Sequence, residues 1–136
     1  MPKPEGNLTP AQFEIMETVW DSPSGLTVAD IWKVISGRRG VGRTTILNLV
    51  DRLEARGWLK RRKGDSAFQY MATVDRQTAT GQVATDFVQD FFGGSAAELV
   101  MSLLGNRRIS PAEVERLRKL LDDQTTTKRA PRREQS

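Results

Sequence analysis

Neither cysteine nor histidine occurs among the 136 residues. Their absence excludes disulfides and thiolate nucleophiles, and it removes the commonest metal ligand and the commonest general base at neutral pH. The carboxylates that remain are scattered along segments that read as solvated helix surface, so neither catalysis nor metal sensing is expected, and no cofactor or metal site is assigned. Long apolar runs are missing as well. No uninterrupted stretch is long enough to cross a bilayer, and no signal pattern opens the chain, so membrane insertion is not expected and a cytoplasmic location is. A hydrophobic content of 38% is adequate for one ordinary domain, or for a small domain plus an appendage that needs a partner.

What the chain does have is positive charge in one place. Residues 37 to 63 hold nine Lys and Arg against Asp51 and Glu54, a local charge of +7 in a chain whose total is +4. The remainder is therefore net negative. Such asymmetry points to a polyanionic partner met by one region, with phosphate contacts whose strength falls as salt rises.

The first half reads as alternating helix-start signals and apolar stripes. Thr9, Pro10 and Gln12 form a capping box with proline at the first helical position, Leu8 is poised to pack on Phe13, and Ile15, Met16, Val19 and Trp20 continue the stripe. This helix is expected to end between Asp21 and Gly25. Leu26 supplies a short strand, and Thr27 with Asp30 caps a second helix carrying Val28, Ile31, Trp32 and Ile35. Trp20 and Trp32 fall on the apolar stripes and read as core. The linker 36–42 is rich in glycine but follows a helix and lacks a closing Gly-Lys-Ser/Thr, so it reads as a turn rather than a nucleotide cradle.

Residues 42 to 71 form the most informative stretch. Ile46, Leu49, Val50 and Leu53 share one helical stripe, and Gly57 stands where a left-handed cap belongs. The opposite side carries Thr44, Asn48, Asp51 and Ala55, flanked by Thr45, Leu47 and Arg52. Short polar side chains near a helix N-terminus suit base edges in a major groove. We assign Thr44 and Asn48 as base readers and Thr45 and Leu47 as flanking contacts, with Leu47 suited to a thymine methyl; Asp51 is given no role. After Gly57, the runs Trp58–Lys63 and Ala67–Met71 flank Gly64, Asp65 and Ser66 and predict a hairpin. Its Lys60, Arg61, Arg62 and Lys63, with Arg38, Arg39, Arg43 and Arg52, are assigned to the DNA backbone, where contacts position without specifying sequence. Helix, short strand, helix, recognition helix and hairpin is the winged helix-turn-helix order over residues 8 to 73.

The segments Leu8–Met16, Thr44–Leu49 with Arg52 and Leu53, Arg56–Leu59 and Phe68–Tyr70 resemble the penicillinase repressor family (BlaI/MecI type). The later segments Leu99–Leu104 and Ile109–Leu121 are similar to that family's dimerisation end. The resemblance covers residues 8 to 123 and implies a repressor that binds a double-stranded operator as a homodimer. Departures are informative. Gln12 and Phe13 stand where the family often has an acid and a tryptophan. The cysteine pairs of copper-sensing members have no counterpart here. In the β-lactamase repressors a regulatory protease cuts an Asn-Phe bond; the matching positions are Ser102 and Leu103, which makes them the candidate cleavage site.

The back half predicts three helices. Asp75 caps the first, which carries Val83, Phe87, Val88, Phe91 and Phe92 and is stopped by Gly93 and Gly94. Ser95 with Glu98 starts the second, ending at Gly105. Ser110, Pro111 and Glu113 start the third, with Ile109 stapled to Val114. Phe87, Phe91, Leu99, Leu103, Val114, Leu117, Leu120 and Leu121 are assigned to dimerisation, because helices this short are marginal without a packing partner. The expected fold is mainly α with a small β-hairpin: a loose segment 1–7, a winged-helix domain 8–73, a helical dimerisation domain 74–123 and a disordered basic tail 124–136. Two other classes stay open at this level. One is a small-molecule-responsive regulator with a pocket lined by Phe87, Phe91 and Phe92; the other is a winged-helix module for protein interaction.

Overall fold

The computed structural model describes residues 4–135. Side chains beyond Thr125, including Lys128, Arg129, Arg132 and Arg133 of the expected basic tail, lie outside the described residues. The element order is α1 (Pro10–Trp20), α2 (Val28–Ser36), α3 (Arg43–Ala55), β1 (Leu59–Lys63), β2 (Phe68–Ala72), α4 (Arg76–Phe92), α5 (Ala96–Gly105) and α6 (Pro111–Gln135). This is a mainly helical fold with one antiparallel hairpin, as the sequence predicts. Two compact units divide between Phe87 and Val88. The boundary expected at residue 73 lies before α4; here Arg76–Phe87, most of α4, falls with the first unit, whose core takes in Ala79.

Local signals fix the ends of the elements. Thr9 and Gln12 make a reciprocal capping box on α1, and Thr27 and Asp30 make the same device on α2. Helix α3 ends in a Schellman motif: Gly57, at φ 85°, donates its N–H to the Glu54 carbonyl while the Trp58 N–H reaches the Leu53 carbonyl at 2.8 Å. Only a residue free to adopt positive φ closes this motif without strain. Leu26 bridges Tyr70 antiparallel, adding a one-residue third strand beside β2. Hydrogen bonds from Thr78 hold the Asp75 carboxyl below the usual carboxylate range, as suits a group at the start of α4.

The core lies within the first unit. Ile15, Met16 and Val19 of α1, Ile31 and Ile35 of α2, and Ile46, Val50 and Leu53 of α3 close over Trp58, Leu59 and Tyr70 of the hairpin. All three tryptophans pack there, and each uses its indole N–H to hold a connecting segment. Trp20 donates to the Val74 carbonyl at the exit from β2 (2.9 Å), Trp32 to the Val41 carbonyl before α3 (2.8 Å), and Trp58 to the Glu5 carbonyl (3.1 Å). An indole buries a large apolar body while its polar edge finds a partner, so each fixes a loop to the core.

Residues 4–7, expected to be loose, are instead tied to the end of α3. The Glu5 N–H donates to the Arg56 carbonyl at 2.9 Å, and the Arg56 guanidinium donates to the Asn7 carbonyl at 2.8 Å. Such partners lie about fifty residues away and leave no local signal.

The second unit is built differently. Ser95 accepts from the Glu98 N–H to cap α5, and Ser110 and Glu113 cap α6 reciprocally. Helix α4 ends at Gly93 and Gly94, both at positive φ. Among the described residues of α5 and α6 no side chain is fully buried. Phe91, Met101, Leu104, Leu120 and Leu121 are exposed, Phe91 at 71% and Leu121 at 65%.

The core predicts two unequal losses of stability. Ile35→Ala empties a fully buried site and is expected to lower the unfolding free energy by about 2–5 kcal/mol. Thr27→Ala removes one cap and is expected to lower it by about 1 kcal/mol. Urea unfolding of both variants measures the difference, and equal losses would contradict this division between core and cap.

Candidate nucleic-acid interface

Helix α3 has one side fixed by burial. Ile46, Val50 and Leu53 are inside and Leu49 is half-buried, which turns Thr44, Thr45, Leu47, Asn48, Asp51 and Arg52 to solvent. All four residues assigned to base contacts are therefore exposed together on the first turns of one helix. Leu47 keeps 42% of its surface exposed, high for a leucine in a helix that supplies the core. Gly42 precedes the helix and offers no side-chain cap. Its first N–H groups and the positive end of the helix dipole thus face outward beside Arg43, an arrangement suited to anions.

The approach to α3 is held firmly. Arg38 and Arg39 both donate their backbone N–H to the Ile35 carbonyl, at 2.9 and 3.2 Å, and the Trp32 indole pins Val41. The Arg43 guanidinium lies 4.8 Å from the centre of the Trp32 ring. Stacking there restricts a long side chain while leaving its charge outward.

The hairpin pairs Lys60 with Met71, Arg61 with Tyr70, Arg62 with Gln69 and Lys63 with Phe68. Leu59 is buried and the four cations that follow are exposed. The pleat separates them into Arg61 with Lys63 and Lys60 with Arg62, on opposite faces. The Arg61 guanidinium sits 4.3 Å from the Phe68 ring centre and pairs with Glu54 of α3 at 3.2 Å. Arg62 donates to the Ser24 carbonyl at 2.8 Å and to Gln69 Oε1. These two arginines brace the wing against α3 and against the loop before Leu26.

The eight assigned backbone cations thus divide into two sets. Arg38 and Arg39 pair with Glu14 of α1, and Arg61 and Arg62 brace the wing. Among the described residues no acid pairs with Arg43, Arg52, Lys60 or Lys63. Glu14, Glu54, Ser24 and Gln69 are the participants that the sequence reading missed. The separations, 24 and 25 residues for Glu14 and 38 for Ser24, exceed any local pattern.

A cleft of about 590 Å³ in the first unit is lined by Val19, Trp20, Met71, Val74 and Arg76, among others. Phe87, Phe91 and Phe92, proposed from sequence as pocket residues, do not line it. No group of three or more acids among the described residues is arranged to hold a metal ion.

Comparison with known proteins agrees with this architecture. The chain is 26% identical over 113 residues to the penicillinase repressor of Staphylococcus aureus, covering 83% of this chain and 89% of that one. It is 25% identical over 115 residues to the methicillin resistance regulatory protein MecI of Mammaliicoccus sciuri, covering 85% and 93%. Among solved structures, the oxidized form of MarR from E. coli shares the fold with a TM-score of 0.50 at 21% identity, over 85% of this chain and 74% of that one. The profile described as penicillinase repressor matches residues 8–123, a span that takes in α1, the exposed face of α3, the wing and the apolar stripes of α5 and α6, and the chain belongs to that family.

Proposed function

We propose that this protein is a transcriptional repressor that binds a pseudo-palindromic operator as a homodimer, placing α3 of each subunit in the major groove. The observation that carries the reading is the exposed face of α3, which puts Thr44, Thr45, Leu47 and Asn48 at the uncapped start of a helix ringed by cations. Thr44 and Asn48 read base edges. Thr45 flanks them, and Leu47 meets a thymine methyl. Lys60 and Lys63 of the wing, with Arg43 and Arg52, grip phosphate first, because no acid among the described residues holds them.

The dimer reading is supported by the second unit. Leu117, Leu120 and Leu121 of α6 and Leu103 of α5 are exposed, and Leu99 and Val114 are half-buried; Phe87 and Phe91 of α4 are exposed as well. Apolar surface of this extent on exposed helices is relieved by a second copy around a two-fold axis. Joining two half-site contacts raises operator affinity through effective concentration.

Relief by a regulatory protease fits the same arrangement. Ser102 and Leu103 are both exposed within α5, a helix without a buried side chain that opens readily to an extended form. Cleavage there would separate α3 and the wing from Leu117, Leu120 and Leu121.

Two predictions test the interface. Affinity for duplex DNA is expected to fall steeply as salt rises, with Lys60→Ala and Lys63→Ala weakening all sequences alike. Asn48→Ala is expected to relax selection at one base position per half-site and to lose roughly 1–3 kcal/mol on the preferred sequence. Selection of bound genomic fragments followed by footprinting reads both effects, and an unchanged selection profile for Asn48→Ala would remove it from base reading. A third prediction concerns assembly: Leu117→Glu with Leu120→Glu should give a monomer by sedimentation that retains the melting transition of the first unit. A dimer that survives both charges would contradict the assignment of α6.

A further inference from the structure

We propose that Glu14 sets the affinity of the DNA face as an internal competitor, a carboxylate that occupies Arg38 and Arg39 and must be displaced by duplex phosphate. This inference rests on the DNA-binding reading above. Glu14 lies on α1, far in sequence from the cations it meets, and its side chain is 19% exposed. Each carboxylate oxygen takes one arginine: Oε1 accepts from Arg39 Nη2, and Oε2 lies 3.6 Å from Arg38 Nη1. The two arginine side chains are about half exposed, at 54% and 53%, and among the described residues neither has another partner.

A glutamate in this position has two conceivable roles, strut or competitor, and the backbone decides between them. A strut is needed where nothing else holds the loop. Here Arg38 and Arg39 are fixed by their own N–H groups on the Ile35 carbonyl, and the following residues are fixed by the Trp32 indole on Val41. The loop therefore keeps its place without the carboxylate. A Cβ added at Gly40 or Gly42 would meet nothing within 4 Å beyond its own chain neighbours, so the loop is uncovered at those two positions.

The charges favour exchange. One carboxylate serves two guanidinium groups, leaving one positive charge uncompensated and most of the N–H donors unused. Half-exposed ion pairs are weak and screened by salt, whereas duplex phosphates form a dense array whose neutralisation releases counterions. Phosphate thus displaces Glu14 at a penalty, and that penalty applies to every duplex because no base is involved.

The test is Glu14→Gln in the full-length chain, isosteric and without charge. Besides its intrahelical backbone bonds, Glu14 accepts from Thr18 Oγ1 at its backbone carbonyl; none of these involves the carboxylate, so α1 keeps its internal bonds, and a thermal melt checks the fold. Fluorescence anisotropy with a random-sequence duplex at fixed salt is expected to show binding tightened about threefold to tenfold. The gain is expected to vanish in the Arg38→Ala, Arg39→Ala background. Unchanged or weaker binding would overturn the competitor role, as would a gain that persists without the arginines. Wild-type protein that binds no duplex would instead overturn the DNA reading itself, and this inference with it.

Discussion

Burial of Ile46, Val50 and Leu53 against α1, α2 and the hairpin is the constraint on which the rest of the interface depends. A helix can turn only one stripe inward. Rotating α3 by a single residue, about 100°, would carry charged or polar side chains into a core without partners for them, at a cost of several kcal/mol. Fixing the inner stripe therefore also fixes the outward direction of Thr44, Asn48 and Asp51. The Schellman motif at Gly57 then sets where the chain leaves the helix, and so where the wing begins. Trp32 and Trp20, bonded to Val41 and Val74, hold the segments on either side of this assembly. The residues proposed to read bases thus stand on a rigid support, which is what geometric recognition requires.

Charge is organised on two levels. Some cations are structural: Arg61 joins β1 to α3 through Glu54 and Phe68, and Arg62 joins the wing to the Ser24 loop. Others, Arg43, Arg52, Lys60 and Lys63, keep their charge facing outward with no acid among the described residues beside them. A run of four basic residues is therefore not four equivalent phosphate contacts. The alternation of the strand and the reach of each side chain separate brace from grip.

The parts of the fold that were legible in the sequence are those with local causes. The capping boxes at Thr9 and Thr27, the positive-φ stop at Gly57, the hairpin around Gly64 and the glycine pair ending α4 all depend on residues within a few positions of each other. The one-residue strand at Leu26 was also legible, from a single apolar residue between a turn and a cap. What stayed hidden has long-range causes. Glu14 meets Arg39 across 25 residues, and Glu5 is tied to Trp58 across 53. Neither pairing leaves a periodic signal, because ion pairs and single carbonyl contacts impose no spacing on the chain. The tethering of residues 4–7 leaves no sequence signal for the same reason: its partners are a backbone carbonyl, a guanidinium and an indole about fifty residues away.

The most direct measurement of the account is a titration of isotope-labelled protein with duplex DNA, followed by backbone amide chemical shifts. The account predicts that the largest changes fall on residues 38–48 and on the wing from Lys60 to Phe68. Amides of α5 and α6 should move little. Changes concentrated in α5 and α6, with α3 and the wing unaffected, would contradict it.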